Sequence, residues 1–365
     1  MSTQTADIAE ARRQLERKKV VRRSAPDVSQ RMRRGVQLVF VALNAWIGAQ
    51  FLLWVRQFEG AGTRFTASRP AGVEGWLPIA GLMNLKYFVM TGRVPGIHPA
   101  AMFLLMAFLL MSVLLKKAFC SWLCPVGTLS EYLWKLGRKL FGRNFTVPRW
   151  LDVGLRSLKY ILLGLFVAVI GYMSAAALHD FMAGPYGIIA DVKMLDFFRG
   201  ITWVGLTVLL FLGGLSLFIQ NFWCRYLCPY GALMGLVSVV SPVNVRRDRD
   251  ACIDCGECAK ACPARLKVDE LVQIRSVECS ACLACVAACP VENALQFALP
   301  PRKEPAIAER WSHRAIRPRT VAVVLAVIFF GMVLFARMTG HWQTVVPREV
   351  YQQLVPNADA VSHPM

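Results

Sequence analysis

The stretch CIDCGECAKACP occupies residues 252–263 and contains four cysteines. They are separated by two, two and three residues, and a proline follows the last of them. A second run with the same spacing, CSACLACVAACP, occupies residues 279–290. Closely spaced thiolates are soft donors that bind iron or zinc. The two runs therefore predict a metal-binding domain, to which we assign residues 246–300.

The spacing favours iron–sulfur clusters over zinc. Structural zinc sites use two C-x2-C pairs with a longer gap between them. In bacterial two-cluster ferredoxins, three cysteines of one run bind one cluster and the fourth, before proline, binds the other. We therefore predict two [4Fe–4S] clusters. The predicted ligands of cluster one are Cys252, Cys255, Cys258 and Cys289. The predicted ligands of cluster two are Cys279, Cys282, Cys285 and Cys262.

The other four of the 12 cysteines form two C-x3-C-P pairs, in CSWLCPVG (120–127) and CRYLCPYG (224–231). Each pair follows a long apolar run, which indicates an internal repeat. Clustering of this kind argues against a disulfide framework. Cys120, Cys124, Cys224 and Cys228 are thus candidates for a redox pair, a copper(I) site, a shared four-cysteine metal site or plain buried packing. We expect Lys116, Lys117 and Arg225 to favour their thiolate form.

The composition predicts a membrane protein. The 365 residues are 56% hydrophobic and carry a net charge of +19, and the mean hydropathy is +0.44. The positive charge lies beside apolar runs, which argues against nucleic-acid binding. Runs of this length cross a hydrocarbon core of about 30 Å. The five candidate spans are 35–55, 97–115, 160–178, 201–222 and 320–338. We expect two weaker stretches, 75–92 and 230–245, to form interfacial helices, the first of them alternatively re-entrant.

Lysine and arginine counts predict the orientation. Residues 1–34, 116–159 and 223–318 carry ten, nine and thirteen of them, against five in 56–96 and two in 179–200. Loops rich in these residues stay in the cytoplasm. We therefore expect the N-terminus and the ferredoxin domain in the cytoplasm, and the C-terminus in the periplasm, of a multi-pass protein of the bacterial inner membrane.

The predicted fold class is a mainly α, polytopic membrane helix bundle of about five spans, with an inserted cytoplasmic domain of the bacterial two-[4Fe–4S] ferredoxin type. The expected order of parts is a basic cytoplasmic tail (1–34), a membrane domain with duplicated units (35–245), the ferredoxin domain (246–300), a basic linker (301–319), the last transmembrane helix (320–338) and a periplasmic tail (339–365).

Three further stretches carry a resemblance: GVEGWLPIAGLMNLKYFVMTG…HPA (72–100), KKAFCSWLCPVGTLSE (116–131) and CRYLCPYGALMGLVS (224–238). Together with the paired ferredoxin runs, they resemble the membrane polyferredoxin family of the NosR, NapH and CcoG types. The resemblance implies an integral membrane iron–sulfur protein that moves electrons between the quinone pool or a cytoplasmic donor and a periplasmic redox protein. NosR-type members carry a flavin-binding domain before the membrane core and CcoG-type members a β-domain after it; we expect the shared core alone.

Alternative functions stay open at this point. The C-x3-C-P thiols could serve a copper-handling or maturation factor that draws electrons from the clusters, or the chain could be a scaffold subunit of a larger redox complex. In each case we expect an electron-transfer component rather than a stand-alone enzyme. No C-x-x-C-H occurs, so no haem c is expected. His98, His179 and Asp180, near the predicted outer face, are candidates for a quinol site, although interfacial histidines often have no role.

Overall fold

The computed structural model describes residues 22–23, 27–60, 67–300 and 315–363. Residues 1–21 of the expected basic tail and residues 301–314 of the expected linker lie outside the described residues. The helices are α1 Ser29–Glu59, α2 Pro78–Thr91, α3 Pro99–Leu115, α4 Ala118–Trp122, α5 Pro125–Phe141, α6 Arg149–Tyr172, α7 Ala175–Ala183, α8 Pro185–Ile188, α9 Ala190–Arg199, α10 Trp203–Phe218, α11 Pro229–Val237, α12 Glu257–Lys260, α13 Ala284–Ala288, α14 Pro318–Met338 and α15 Arg348–Leu354. Short 3-10 helices occupy Ala71–Trp76, Ser238–Val240 and Ala358–Ala360, and a π-helix occupies Trp223–Leu227.

The predicted helical class is confirmed, and so is the presence of apolar spans. Helices α1, α6 and α14 are long and apolar enough to cross a membrane, and α9 and α10, bent by 83°, would together make a fourth. Helix α3 has 17 residues, or about 25 Å. The count of five spans therefore stays a prediction. Helix α1 begins at Ser29, so the end of the expected basic tail is part of the first long helix.

The predicted span 160–178 is wrong in its bounds, because α6 ends at Tyr172 and a separate helix begins at Ala175. The ammonium group of Lys86, on α2, donates to the carbonyl oxygens of Ile170, Gly171 and Met173 at 2.8, 2.7 and 2.6 Å. Carbonyls at a helix C-terminus lack most of their helical partners, and although the Met173 N–H also donates to Ile170, the lysine adds a bond to each of the three and stabilises the break. The predicted span 201–222 likewise contains only the 16 residues of α10.

Helix α3 lies at the centre of the bundle. Its sequence is apolar on every face, and side chains such as Met102, Leu105 and Met111 are completely buried. A helix that is apolar all round needs neighbours on all sides. Helices α2 and α14 pack against it on two of those sides.

The two ends of the helix bundle differ in what they contact: the ferredoxin domain at one end and helix α15 at the other. At one end, Gln30 at the start of α1 donates to the carbonyl of Cys282 at 2.9 Å. Just before α14, the N–H of Ile316 donates to Phe297 at 2.7 Å. At the other end, Trp54 near the end of α1 packs edge-on against Tyr351 of α15, with 5.0 Å between ring centroids. Helices α1 and α14 thus both begin at the ferredoxin domain and run away from it.

The ferredoxin domain contains a small antiparallel sheet of β1 Asn244–Arg247, β2 Gln273–Ile274 and β3 Leu295–Ala298, in the order β2-β1-β3. Val245 at its centre pairs with Ile274 on one side and with Phe297 on the other. The cysteine runs lie in the connections between these strands. The sheet therefore holds the start, middle and end of the domain together.

Candidate metal centres

The ferredoxin cysteines line two small cavities. Cys252, Cys255, Cys258 and Cys289 line the first. Cys262, Cys279, Cys282 and Cys285 line the second. These are the two sets of four that the spacing predicts, with the fourth cysteine of each run exchanged between cavities.

Both runs have the same unusual backbone. Asp254 and Gly256 have φ angles of 53° and 72°, and the corresponding Ala281 and Leu283 have φ angles of 49° and 58°. Non-glycine residues seldom adopt this left-handed conformation. Alternation of this kind turns successive peptide N–H groups toward a common anionic centre, and the N–H of Asp254 lies 3.4 Å from the Cys252 sulfur. The repeated geometry suits a negatively charged group in each cavity.

The structure also brings the two C-x3-C-P pairs together. Cys120, Cys124, Cys224 and Cys228 all line one cavity of about 570 Å³. The second cysteine of each pair caps the helix that follows it: Gly127 N–H lies 3.4 Å from the Cys124 sulfur, and Gly231 N–H lies 3.2 Å from the Cys228 sulfur. The duplicated motifs therefore have matching local structure and face a common space.

Of the cations expected to favour the thiolate, Lys117 acts in that direction at Cys120, but burial outweighs it in the free thiols. Burial raises the pKa of Cys120 to about 12 and that of Cys124 to about 11. Lys117 opposes the rise at Cys120 but does not outweigh desolvation. Arg225 is held instead by Asp152, at 2.8 Å. Such thiols stay protonated unless a metal displaces the proton.

The large cavity adjoins the second ferredoxin cavity. Cys282 lines both of them. The contact is fixed by hydrogen bonds from α4: the indole N–H of Trp122 donates to the Ala281 carbonyl at 3.0 Å, and the hydroxyl of Ser121 donates to the Ser280 carbonyl at 2.6 Å. The cysteine run and the first C-x3-C-P motif are thus held together.

The donor sets suit clusters better than single ions. Over the described ranges, no three His, Cys, Asp or Glu side chains are arranged to hold one metal ion. Four thiols around a cavity, with backbone N–H groups directed at the sulfurs, are the surroundings that iron–sulfur clusters require. All three sets of cysteines have this chemistry.

Two features escaped the sequence analysis. Tyr230 lines the large cavity and packs edge-on against Phe119, with 6.1 Å between ring centroids. Burial raises its pKa, so its hydroxyl keeps its proton and can donate to a sulfur. Glu278, directly before Cys279, binds Lys117 and Lys159. Its position beside a ligand cysteine was the only signal available, because its partners lie more than a hundred residues away.

The candidate quinol residues have different surroundings. His98 is fully buried and contacts Glu74 at 3.3 Å, Arg69 at 3.2 Å and the Gly187 carbonyl at 2.9 Å. His179 is exposed and stacks on Tyr87, and Asp180 is exposed as well. Among the described contacts, no hydrogen bond joins His98 to either of them. The three do not form one polar cluster.

Gly127 and Gly231 occupy equivalent positions in the two C-x3-C-P repeats but differ in the space around them. A methyl group on Gly127 would lie 2.2 Å from the Cys120 carbonyl oxygen, whereas one on Gly231 would lie 3.6 Å from the Cys228 sulfur. We expect Gly127→Ala to lower the free energy of unfolding by about 1–3 kcal/mol. Gly231→Ala is the matched control and should be close to neutral. Thermal unfolding of both variants in detergent checks this, and equal effects would contradict it.

Family comparisons agree with this arrangement. A protein-family model described as a 4Fe-4S binding domain matches residues 97–144 and 201–247, one C-x3-C-P pair in each. A second, described as a 4Fe-4S dicluster domain, matches residues 244–290. Both cysteine patterns thus occur in known iron–sulfur domain types.

Relatives among known proteins cover most of the chain. It is 50% identical over 334 residues to YccM of Escherichia coli K12, whose name provisionally assigns it to electron transport, and the match covers 91% of each chain. It is 28% identical over 183 residues to the ferredoxin-type protein NapH of the same organism, covering 48% of this chain and 59% of NapH. It is 32% identical over 187 residues to the regulatory protein NosR of Pseudomonas aeruginosa, covering 50% of this chain and 25% of NosR. No solved structure matches the chain at a significant level.

Proposed function

This chain belongs to the family of membrane polyferredoxin-type proteins with 4Fe-4S domains, and from that premise we propose that it transfers electrons between the quinone pool or a cytoplasmic donor and a periplasmic redox protein. Three sets of four cysteines would hold the centres. Two sets are those of the ferredoxin domain, and the third is Cys120, Cys124, Cys224 and Cys228. When bound, [4Fe–4S] clusters accept and release single electrons.

One observation carries this proposal: Cys282 lines both the second ferredoxin cavity and the large cavity of the four C-x3-C-P cysteines. Adjacent thiol sets, joined by the hydrogen bonds of Ser121 and Trp122, are what an electron route between the domains requires. The chain's own part is to hold the thiols and exclude water. Phe108 and Phe119, stacked at 3.9 Å between ring centroids, line the large cavity beside the cysteines.

The orientation in the membrane is part of the proposal. The ferredoxin domain lies at one end of the bundle, and α15 at the other. The Lys/Arg asymmetry supports a cytoplasmic ferredoxin domain in the bacterial inner membrane, with the C-terminal helix in the periplasm. Electrons would thus pass from one membrane face into the bundle.

Metal analysis of anaerobically purified protein tests the proposal. We expect about twelve iron atoms and about twelve acid-labile sulfides per chain, four for each of three clusters. Cys255→Ser should weaken one ferredoxin centre in electron paramagnetic resonance spectra and Cys282→Ser the other, because each serine removes a soft ligand from a different set.

The alternatives give different results. Copper that disappears when Cys120 and Cys224 are replaced would favour the copper-handling function. About eight iron atoms, with no other metal, would restrict the proposal to the two ferredoxin clusters. Stoichiometric zinc without sulfide would exclude it.

A further inference from the structure

A buried group of charges lies beside the large cavity, next in sequence to Cys279 of the second ferredoxin run. The carboxylate of Glu278 accepts hydrogen bonds from the Lys159 ammonium at 2.7 and 2.8 Å, from the Lys117 ammonium at 3.2 Å and from the Tyr160 hydroxyl at 3.1 Å. Lys159 is completely buried, and Lys117 and Glu278 are only 6% and 7% exposed. Two cations therefore share one carboxylate away from water.

This group carries an excess positive charge. With both lysines protonated, two ammonium groups and one carboxylate leave one unit of positive charge, and no other carboxylate pairs with either lysine in the part of the chain that the structure describes. An uncompensated buried charge is costly and is normally balanced by a neighbour of opposite sign. The charge count thus calls for an anion close by.

The space next to Lys117 is the four-cysteine cavity. Lys117 and Glu278 both line it, and the Lys117 carbonyl accepts the N–H of Cys120 at 3.1 Å. Neutral thiols or a disulfide would leave the excess charge unbalanced. A [4Fe–4S] cluster bound by four thiolates would keep a net negative charge and would balance it. Among the occupants that the cysteine spacing allows, the charge of Lys117 therefore favours an anionic metal centre over neutral thiols or a disulfide.

Building on the function proposed above, we propose that Lys117 is the charge partner of an anionic metal–thiolate centre in the four-cysteine cavity and raises the reduction potential of that centre, while Glu278 and Lys159 position it. Reduction adds an electron to a centre that is already negative. A fixed positive charge nearby stabilises the reduced form more than the oxidised form. Lys117 acts through its positive charge and does not bind the metal itself.

The neighbouring Lys116 provides a matched control. It is also completely buried, but its ammonium points to the carbonyl of Arg275 at 3.4 Å, and it does not line the large cavity. Cys279 of the second ferredoxin set interacts electrostatically with Lys116 and also with Lys117. Lys116 differs from Lys117 in that it has no place on the four-cysteine cavity.

Anaerobic redox titration of the full-length protein in detergent, followed by electron paramagnetic resonance, tests the proposal. Lys117→Met should lower the midpoint potential of the four-cysteine centre, and Glu278→Gln should raise it, because the first removes a positive charge and the second a negative one. Loss of a merely structural ion pair would move both potentials in the same direction. Lys116→Met should lower the potential of the second ferredoxin centre and leave that of the four-cysteine centre unchanged.

Each result of these measurements either supports or overturns the proposed role of Lys117. Shifts of the same sign in Lys117→Met and Glu278→Gln, or an unchanged potential with native metal content, would overturn the role of Lys117 and leave the electron-transfer function standing. A native protein without metal on these four cysteines would overturn both the role and the third centre. Should Lys117→Met lose the centre, Lys117→Arg decides instead: retention of the centre supports a charge role, and its loss overturns one.

Discussion

The double variant Cys124→Ser/Cys228→Ser is expected to lose electron transfer to background while both ferredoxin centres keep native spectra. Each serine replaces the helix-capping cysteine of one repeat, and both face the large cavity. Removing two soft ligands from four should empty that site. The ferredoxin cysteines line two further cavities and keep all of their thiols, including Cys282, which also borders the large cavity.

Proteoliposomes allow a direct measurement. A membrane-impermeant reductant outside and an enclosed acceptor report transfer across the bilayer, and spectra of the same sample report the ferredoxin centres. Ser130→Ala is a suitable control, because this buried hydroxyl on α5 has no hydrogen-bond partner among the residues that the structure describes and should be dispensable. Full electron-transfer activity in the double variant would show that the four cysteines serve only to fill space in the bundle.

The second large effect concerns stability at the opposite end of the bundle. Arg69 is buried and donates to Asp191 at 2.6 Å and to Glu74 at 2.8 Å, and both carboxylates are completely buried. Arg69→Met would leave two buried carboxylates without their cation. Removing one partner of a buried ion pair costs about 3–5 kcal/mol. We expect the unfolding temperature in detergent to fall accordingly.

Arg199→Met is the control for this change. Arg199 binds Glu59 through both guanidinium NH groups, but the pair is largely open to water. Exposed ion pairs contribute about 0–1 kcal/mol, so this variant should unfold close to the native temperature. Equal losses of unfolding temperature in the two variants would show that the buried ion pairs of Arg69 stabilise the protein no more than the exposed pair of Arg199 and Glu59.

The local features of this protein could be predicted from the sequence. In each ferredoxin run, two residues separate each of the first three cysteines from the next. So short a stretch of chain can bring all three to one centre, and the spacing alone predicts that centre. Apolar runs such as 35–55 and 320–338 also predict helices directly, because the hydrocarbon core allows the backbone few alternatives. Their helices, α1 and α14, are present in the structure.

Features that join distant segments could not be predicted with the same certainty. The bounds of α6 depend on Lys86, which lies on another helix and caps its last carbonyls. The net pKa of Cys120 could not be predicted, since the sequence contains the charge of Lys117, which lowers the pKa, but not the depth of burial, which raises it more. His98, which looked free to bind a quinol, is engaged by Glu74 and Arg69.

The sequence by itself determined the local features: two cysteine runs of the ferredoxin type, a duplicated C-x3-C-P unit and apolar helices beside them. Only the tertiary structure decided that Cys120 and Cys224, about a hundred positions apart, face one cavity, and that Cys282 borders it. It also decided that Glu278 holds Lys117 and Lys159 at that boundary. The physical reason is that residue spacing determines only local geometry, whereas burial and charge balance arise when distant segments pack together.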